Sequence, residues 1–280
     1  MYSRDEVLLS IEGVSMSYEG NQVLKPINLQ IRNLHVEDQS QIAGQVIAFL
    51  GPSGCGKTQL LRIIAGLQKP TTGGVYMDPD RKPMQEGMAG VVFQKYPLFG
   101  HRTVLSNLIL AGQLGGMDST KARTHAMELL AMFELDQAIN KYPGELSGGM
   151  QQRVAISQQI MNLDGSNQTH TRLMLMDEPF AALDPRNTIK TCNLIRKVAD
   201  MHDTNTIIVV THDLRAALQI GDIVWVMGRD RDANGKVCSG GQIVKEYDLI
   251  AHGLTWHPEI DTLPQFSALE REIARMFQTL

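Results

Sequence analysis

The sequence predicts an α/β fold built around a largely parallel central sheet. Short runs of apolar, β-branched residues alternate with longer segments of helical periodicity, the pattern of strands joined by covering helices. One such run, residues 46–50, is wholly apolar and leads into a glycine-rich turn that a helical segment follows. A strand that is apolar along its whole length is typical of a sheet buried on both faces.

The composition is that of a globular protein. Hydrophobic residues make up 43% and charged residues 20% of 280 residues, enough to bury one large core or two modest ones. The net charge of −4 argues against non-specific nucleic-acid binding, so we expect no nucleic-acid partner. Three cysteines without a CxxC pair indicate reduced thiols in a cytosolic protein. With neither a signal peptide nor the roughly 20 apolar residues of a membrane span, we expect a chain that is soluble by itself.

The first half of the chain shows two early strands and one helix. Residues 7–11 and 23–31 predict strands that pair antiparallel. The helix after the glycine-rich turn is indicated by Leu60, Ile64 and Leu67 at helical spacing.

A helical section follows over residues 103–161, in which an apolar stripe predicts a core-facing side. The stripe consists of Ala122, Ala126, Leu129, Leu130 and Phe133. Strands are then predicted at residues 173–176, 206–210 and 223–227, and helices at 186–201 and 213–220.

Three polar or glycine-rich stretches predict loops, at residues 33–41, 162–171 and 228–241. From Leu263 onward the pattern predicts a terminal amphipathic helix. Its apolar side holds Phe266, Leu269, Ile273, Met276 and Leu280. Because charges of both signs interleave with these residues, we expect this side to pack on the protein and not on a membrane.

The glycine-rich turn matches the phosphate-binding pattern GxxxxGK[ST] at every fixed position. It consists of Gly51, Pro52, Ser53, Gly54, Cys55, Gly56, Lys57 and Thr58. Its glycines let backbone N–H groups point at phosphate oxygens, and the following helix adds the positive end of its dipole. Lys57 can then reach the β- and γ-phosphates of ATP, and the Thr58 hydroxyl can complete a Mg²⁺ shell. Cys55 stands at a variable position of the pattern, so we expect no catalytic thiol. The alternative to a phosphate-binding loop is a glycine turn that precedes a helix by chance.

The apolar run at residues 173–176 ends in two carboxylates, Asp177 and Glu178. In P-loop enzymes a carboxylate at the end of a neighbouring strand holds Mg²⁺, and Asp177 fits that role. Glu178 can face an attacking water as general base. Solvated turn residues are the alternative, which an intact phosphate-binding loop in the same chain disfavours.

A further segment resembles the LSGGQ signature of ATP-binding cassette (ABC) ATPases. It reads Leu146, Ser147, Gly148, Gly149, Met150, Gln151, Gln152 and Arg153. The segment lies upstream of residues 176–179 and 182–184, in the family's order, and the resemblance covers residues 7–228. It implies an α/β P-loop NTPase fold of ABC-ATPase type: a mixed RecA-like core sheet with an antiparallel β edge and a helical subdomain.

The signature segment predicts a second anion site. Ser147 is suited to cap a helix, and Gly148 and Gly149 leave backbone N–H groups uncovered at its N-terminus. The resemblance implies a head-to-tail pair of chains that holds two ATP molecules between P-loop and signature. A merely capped helix would explain Ser147 but not the glycine pair.

The remaining site residues follow from the resemblance alone. Gln94 matches the Q-loop, which binds Mg²⁺ and senses the γ-phosphate. His212 matches the switch histidine, which contacts the γ-phosphate and orients Glu178 and water. Asp184 would cross the dimer interface, and Tyr18 would stack on adenine. By residue type alone, a lone histidine or aromatic is more often structural.

We predict an ABC ATPase domain over residues 1–228, with the helical subdomain inserted at about 97–165. Residues 229–280 form a C-terminal extension with a hairpin and the terminal helix.

The resemblance implies a Mg²⁺-dependent ATPase subunit that powers import of a small solute through a separate transmembrane permease. The chain would act as a homodimer or with a paired ABC ATPase chain, in a system with a solute-binding protein, on the inner face of the cell membrane. Residues 95–99 are candidates for docking the permease, unless their apolar side chains belong to the core. Runs such as 142–146 and 176–180 resemble the nitrate, sulfonate and taurine importers, while departures at 98–101 and 157–160 leave the cargo open.

Two rival interpretations remain open. A soluble, non-transport ABC ATPase would use the same dimer in macromolecular assembly or remodelling. A nucleotide kinase would share the P-loop, but it leaves the signature segment unexplained.

Overall fold

The computed structural model describes residues 2–4, 6–36, 42–165, 172–181, 183–201, 205–232, 234–255, 257 and 259–280. The strands are β1 (Tyr2–Ser3), β2 (Val7–Tyr18), β3 (Asn21–Arg32), β4 (Leu34–Val36), β5 (Ile42–Ala43), β6 (Gln45–Leu50), β7 (Thr72–Met77), β8 (Lys82–Pro83), β9 (Gly90–Val92), β10 (Arg172–Asp177), β11 (Asn205–Thr211), β12 (Ile223–Gly228) and β13 (Gln242–Asp248). The α-helices are α1 (Lys57–Ile64), α2 (Val104–Leu114), α3 (Ser119–Met132), α4 (Gly148–Gly165), α5 (Pro185–Ala199), α6 (Leu214–Ile220) and α7 (Pro264–Phe277).

The central sheet has the strand order β13-β12-β6-β11-β10-β9. Neighbouring strands from β12 to β9 pair in parallel, and β13 pairs antiparallel with β12 at one edge. The predicted α/β class with a largely parallel sheet is confirmed. Because parallel strands need crossovers that lay helices on the sheet, both of its faces are covered.

Side chains of the central strands alternate between two cores, as the period of two along a strand requires. In β10, Leu173 and Leu175 pack towards the second sheet and α1, whereas Met174 and Met176 pack towards α2 to α5. This explains why the run is apolar at every position.

A second, antiparallel sheet has the order β3-β2-β7-β8, and it packs with α1 against one face of the central sheet. The predicted early strands are therefore antiparallel, and each is longer than the sequence indicated. A small third sheet joins β1, β4 and β5.

Some predicted boundaries are wrong. Residues 34–36 form β4 and not a loop, because Leu34 is fully buried; residues 37–41 lie outside the described residues. Residues 162–165 belong to α4, since Leu163 packs in the core and holds the last turn; 166–171 also lie outside the description. Leu67 lies beyond α1, which ends at Ile64, and is 40% exposed.

The C-terminal residues join the body of the protein. Strand β13 extends the central sheet, and Phe266, Leu269 and Ile273 of α7 are buried against α6 and the central strands. The predicted apolar side of the terminal helix is confirmed. The division at residue 228 and the helical subdomain stay predictions. Among the described residues, no helix combines the length and apolarity of a membrane span.

Candidate nucleotide site

The phosphate-binding loop lies at the edge where three parallel strands of the central sheet end. Leu50, the last residue of β6, pairs with Thr211 of β11, and Asp177 of β10 pairs with Val210 of β11. The Gly51 N–H donates to the Thr211 carbonyl at 3.2 Å. The carboxyl edge of a parallel sheet, where loops from adjacent strands meet, is where α/β proteins bind ligands.

Two loop glycines are required by backbone shape or by space. Gly54 and Gly56 have φ of +81° and +99°, in the left-handed region that side chains disfavour. A Cβ on Gly56 would also lie 2.5 Å from Leu24 Cδ2, whereas one on Gly54 would meet nothing within 4 Å. The loop is therefore held tightly against β3 at Gly56 and is open at Gly54.

Lys57 places its ammonium group inside this loop. Its side chain is 5% exposed, and Nζ donates to the carbonyl oxygens of Gly51 at 2.8 Å and Pro52 at 3.2 Å. Glu178 Oε1 lies 3.5 Å from Nζ. A cleft of about 320 Å³ opens here, lined by the loop, Val23 and Glu178. The shape of this cleft and the buried ammonium group of Lys57 fit a polyphosphate.

Thr58 and Asp177 form the part of the site that suits a divalent cation. The Thr58 hydroxyl donates to Asp177 Oδ1 at 3.0 Å, across two different chain segments. Burial raises the pKa of Asp177 above its ordinary value, and a cation beside the carboxylate would offset that cost. Mg²⁺ prefers oxygen ligands such as hydroxyl and carboxylate groups. Phosphate oxygens and water molecules fill its remaining coordination positions. The described residues hold no cluster of three or more His, Cys, Asp or Glu suited to a metal.

Glu178 and His212 face each other across β10 and β11. His212 Nδ1 lies 2.8 Å from Glu178 Oε2, and the His212 backbone N–H donates to the same oxygen at 3.2 Å. Glu178 has a φ of +51°, which is unusual for a residue with a side chain. Its N–H donates to the Val210 carbonyl at 2.8 Å, which holds this turn in place. Backbone strain of this kind concentrates at functional sites.

The signature segment forms the exposed N-terminus of α4. Ser147 Oγ accepts a hydrogen bond from the Met150 N–H at 3.3 Å, as predicted for a helix cap. A Cβ on Gly148 or on Gly149 would contact nothing within 4 Å. The helix tip is therefore uncovered. Among the described residues, no hydrogen bond joins Ser147 or Asp184 to the P-loop of the same chain.

The other predicted residues lie around this centre. The Tyr18 hydroxyl donates to Gln59 Oε1 at 3.1 Å, at the rim of the cleft. Gln94 follows β9, whose Val92 pairs with Met176, so Gln94 lies at the same sheet edge as Glu178. Asp184 caps α5, where Oδ1 accepts from the backbone N–H groups of residues 186 and 187.

Cys55 and Gln152 have structural surroundings. Burial raises the pKa of the Cys55 thiol, which keeps it protonated. Gln152, which sequence reasoning had left without a role, is 1% exposed; its amide donates to the Pro179 carbonyl at 3.0 Å and accepts from Thr191 at 3.3 Å. It thus connects the signature helix to the turn after Glu178. A polar residue at a core-facing helical position was the signal that could have revealed it.

Comparisons with known proteins find relatives that cover most of this chain. A family model described as "ABC transporter" matches residues 38–181. The chain is 34% identical over 259 residues to a sulfate/thiosulfate import ATP-binding protein (CysA) of Gloeobacter violaceus, covering 91% of the chain and 69% of that protein. It is 31% identical to a probable protein of the same name from Chlorella vulgaris, covering 93% of the chain and 98% of that protein.

Among solved structures, the ATP-binding cassette MJ0796, described as a dimer in a post-hydrolysis state bound to ADP and Pi, aligns with a TM-score of 0.65 at 29% identity. The alignment covers 86% of this chain and 99% of that one. The chain spans 52% to 69% of the length of several bacterial relatives that it matches. These relatives are named for sulfate and thiosulfate, so the narrower resemblance to nitrate, sulfonate and taurine importers stays a prediction.

Proposed function

Because the chain belongs to the ABC transporter family, we propose that it is the ATP-hydrolysing subunit of an importer, driving a small solute through a separate membrane permease. ATP and Mg²⁺ are the ligands of this ABC-type ATPase. The observation that carries the proposal is the convergence of Lys57, Thr58, Asp177, Glu178 and His212 at one edge of the sheet.

Each of these residues has a chemical task in hydrolysis. The P-loop backbone and Lys57 bind the β- and γ-phosphates, and Thr58 and Asp177 would hold Mg²⁺, which neutralises charge that develops on the phosphates. Glu178 accepts a proton from the attacking water, and His212 keeps that carboxylate in place. Gln94, at the same edge, would sense the γ-phosphate. Tyr18 would pack against the base at the rim.

The open tip of α4 supports a head-to-tail dimer. Gly148 and Gly149 present uncovered backbone, and the Ser147 hydroxyl, whose oxygen accepts from the Met150 N–H, keeps its own hydrogen to donate. In the dimer they would bind the γ-phosphate held by the other copy, and Asp184 would lie at the interface. ATP binding would then close two chains together, and hydrolysis would release them. That motion is the work passed to a permease.

The permease would dock beside Gln94. In the structure residues 95–99 lie before α2 and are not helical. Tyr96 and Leu98 pack against the core, while Phe99 is 43% exposed beside His101. Phe99 is thus the docking residue we propose. A solute-binding protein and a position on the cytoplasmic face of the membrane complete the system, and sulfate and thiosulfate are the first cargoes to test.

Hydrolysis by the purified chain tests the ATPase part of the proposal. We expect Mg²⁺-dependent release of phosphate, and we expect Ser147→Arg to abolish it while ATP still binds to the monomer. The bulky side chain would fill the tip that the other copy's nucleotide needs. Asp118→Arg is the matched control. It also replaces a helix-capping residue with arginine, at the N-terminus of α3, and it should keep the activity. Loss of monomer binding in Ser147→Arg would contradict the sandwich arrangement.

Co-purification from detergent tests the transport part. A transport subunit should bring down a polytopic membrane protein from its native membranes, and Phe99→Ala should weaken that association. Recovery of a soluble assembly in place of a membrane protein would favour a non-transport ABC ATPase.

A further inference from the structure

The C-terminal part of the chain contacts the phosphate-binding loop directly. We call residues 229–241, between β12 and β13, the 229–241 loop. At its start, Arg229 Nη2 donates to the carbonyl oxygen of Gly54. At its end, Gly241 lies against Cys55, so closely that an added Cβ would come within 1.7 Å of the Cys55 carbonyl oxygen. Both ends of the 229–241 loop therefore touch the P-loop.

The 229–241 loop has its own internal support. Arg231 forms an isolated antiparallel bridge with Val237, and the Cys238 N–H donates to the Asp230 carbonyl at 2.7 Å. Arg231 Nε also donates to the carbonyl of Thr279, near the chain's last residues, at 3.1 Å. Asp230 pairs with Lys25 Nζ at 2.5 Å. The backbone bonds of this loop and the Asp230–Lys25 pair hold the backbone that carries Arg229 without using the P-loop.

The P-loop backbone is least restrained by its surroundings at Gly54. Its φ is +81°, in the left-handed region that glycine adopts freely, and nothing lies within 4 Å of the place a Cβ would occupy, so no side of the fold packs against the Gly54 Cα there. If the Gly54–Cys55 peptide rotated, the Gly54 carbonyl would turn towards the phosphate position and repel an anion. The Cys55 N–H makes only a long bond of 3.4 Å to the Pro52 carbonyl, which restrains the peptide little.

We propose that Arg229 is a positioning residue for ATP binding, which holds the Gly54 carbonyl outward and so keeps the Cys55 N–H available to phosphate. A hydrogen bond from a charged donor is stronger than one between neutral groups, and a trans peptide that directs its carbonyl to one side directs its N–H to the other. The guanidinium adds positive charge close to the loop. The inference rests on the nucleotide site proposed above, and it gives the C-terminal extension a task in that site.

Binding of MgATP to three variants tests this role. Losing a hydrogen bond to a charged group corresponds to about a tenfold rise in Kd, so we expect that rise for Arg229→Gln. Arg229→Lys, with a shorter reach and one donor centre, should raise Kd about threefold. Arg231→Gln is the matched control on the same loop and should stay within about twofold, since Arg231 contacts Thr279 and Gly235 and not the P-loop.

Two further readouts separate positioning from a general loss of structure. At saturating MgATP, kcat of Arg229→Gln should stay within about twofold of the parent chain while KM follows Kd, because Arg229 acts on binding. Hydrogen exchange in the absence of nucleotide should be faster for peptides covering residues 51–58 and unchanged for those covering α6.

The outcomes are distinct. Parent-like Kd and exchange in Arg229→Gln, or an equal loss in Arg231→Gln, would overturn the positioning role while leaving the ATPase intact. Failure of the parent chain to bind MgATP would instead defeat the proposed function. Should Arg229→Gln fail to fold, Arg229→Lys decides: a threefold weaker Kd with faster exchange supports the role, and parent-like values overturn it.

Discussion

Replacing Glu178 with glutamine removes the proposed general base with little change in shape. Glutamine keeps an oxygen where the His212 backbone N–H donates at 3.2 Å, so the residues that follow β10 and β11 retain that bond. It cannot take the proton of the attacking water. General-base catalysis contributes roughly 10²–10⁴-fold, so kcat should fall by that factor, equivalent to about 3–5 kcal/mol in the activation barrier.

ATP binding should survive the same change or become tighter. Glu178 Oε1 lies 3.5 Å from Lys57 Nζ, so the carboxylate competes with the γ-phosphate for the buried ammonium group. The amide removes that competition and the repulsion between two anions. With hydrolysis blocked and binding intact, the ATP-bound dimer should accumulate.

The assay compares phosphate release at saturating MgATP with size-exclusion chromatography in the presence of ATP. Glu246→Gln is the matched control: Glu246 accepts a hydrogen bond from Trp225 Nε1 at 2.6 Å, which an amide oxygen can also accept, and it lies on β13. Its activity should match that of the parent chain. Hydrolysis by Glu178→Gln at the parent's rate would refute the assignment of the base.

Three further predictions concern the P-loop, its contact with the 229–241 loop, and pH. Lys57→Ala should raise the Kd for MgATP by at least about tenfold, since it removes the buried cation of the phosphate site; unchanged affinity in titration calorimetry would contradict the P-loop assignment. Gly241→Ala should lower the free energy of unfolding in urea by about 1–3 kcal/mol, because its Cβ would overlap the Cys55 carbonyl, and unchanged stability would show that this contact is loose. The hydrogen bond between His125 Nε2 and Asp164 at 2.6 Å raises the pKa of His125 above its ordinary value of 6.5. Its stabilisation should be complete below that ordinary pKa and lost as pH rises through the raised one, so the unfolding free-energy difference between the parent chain and His125→Gln should shrink from pH 5.5 to 9; a constant difference would contradict it.

The phosphate-binding loop was predictable because its requirements are local. Glycine at positions 54 and 56 permits positive φ, and Lys57 and Thr58 begin the helix that follows, so eight consecutive residues specify the element. The central strands were equally clear, since a sheet covered on both faces needs apolar residues at every position. The boundaries of elements were harder to predict. Burial of Leu34 places a strand in a stretch whose polar residues predicted a loop, because tertiary packing of this kind leaves no local sequence signal.

Motif order and family resemblance predicted which residues belong to the nucleotide site. Which of those residues contact each other depends on the pairing of strands in the sheet. The sequence by itself determined the α/β class, the strand that leads into the P-loop, and the carboxylates that end β10. The tertiary structure decided that Glu178 contacts His212, 34 positions further along the chain, because β10 and β11 are neighbours in register. It also decided that Arg229 reaches Gly54, 175 positions away. Contacts between distant segments depend on the order of strands in the sheet and on the path of the loops. A local sequence pattern does not specify either of these.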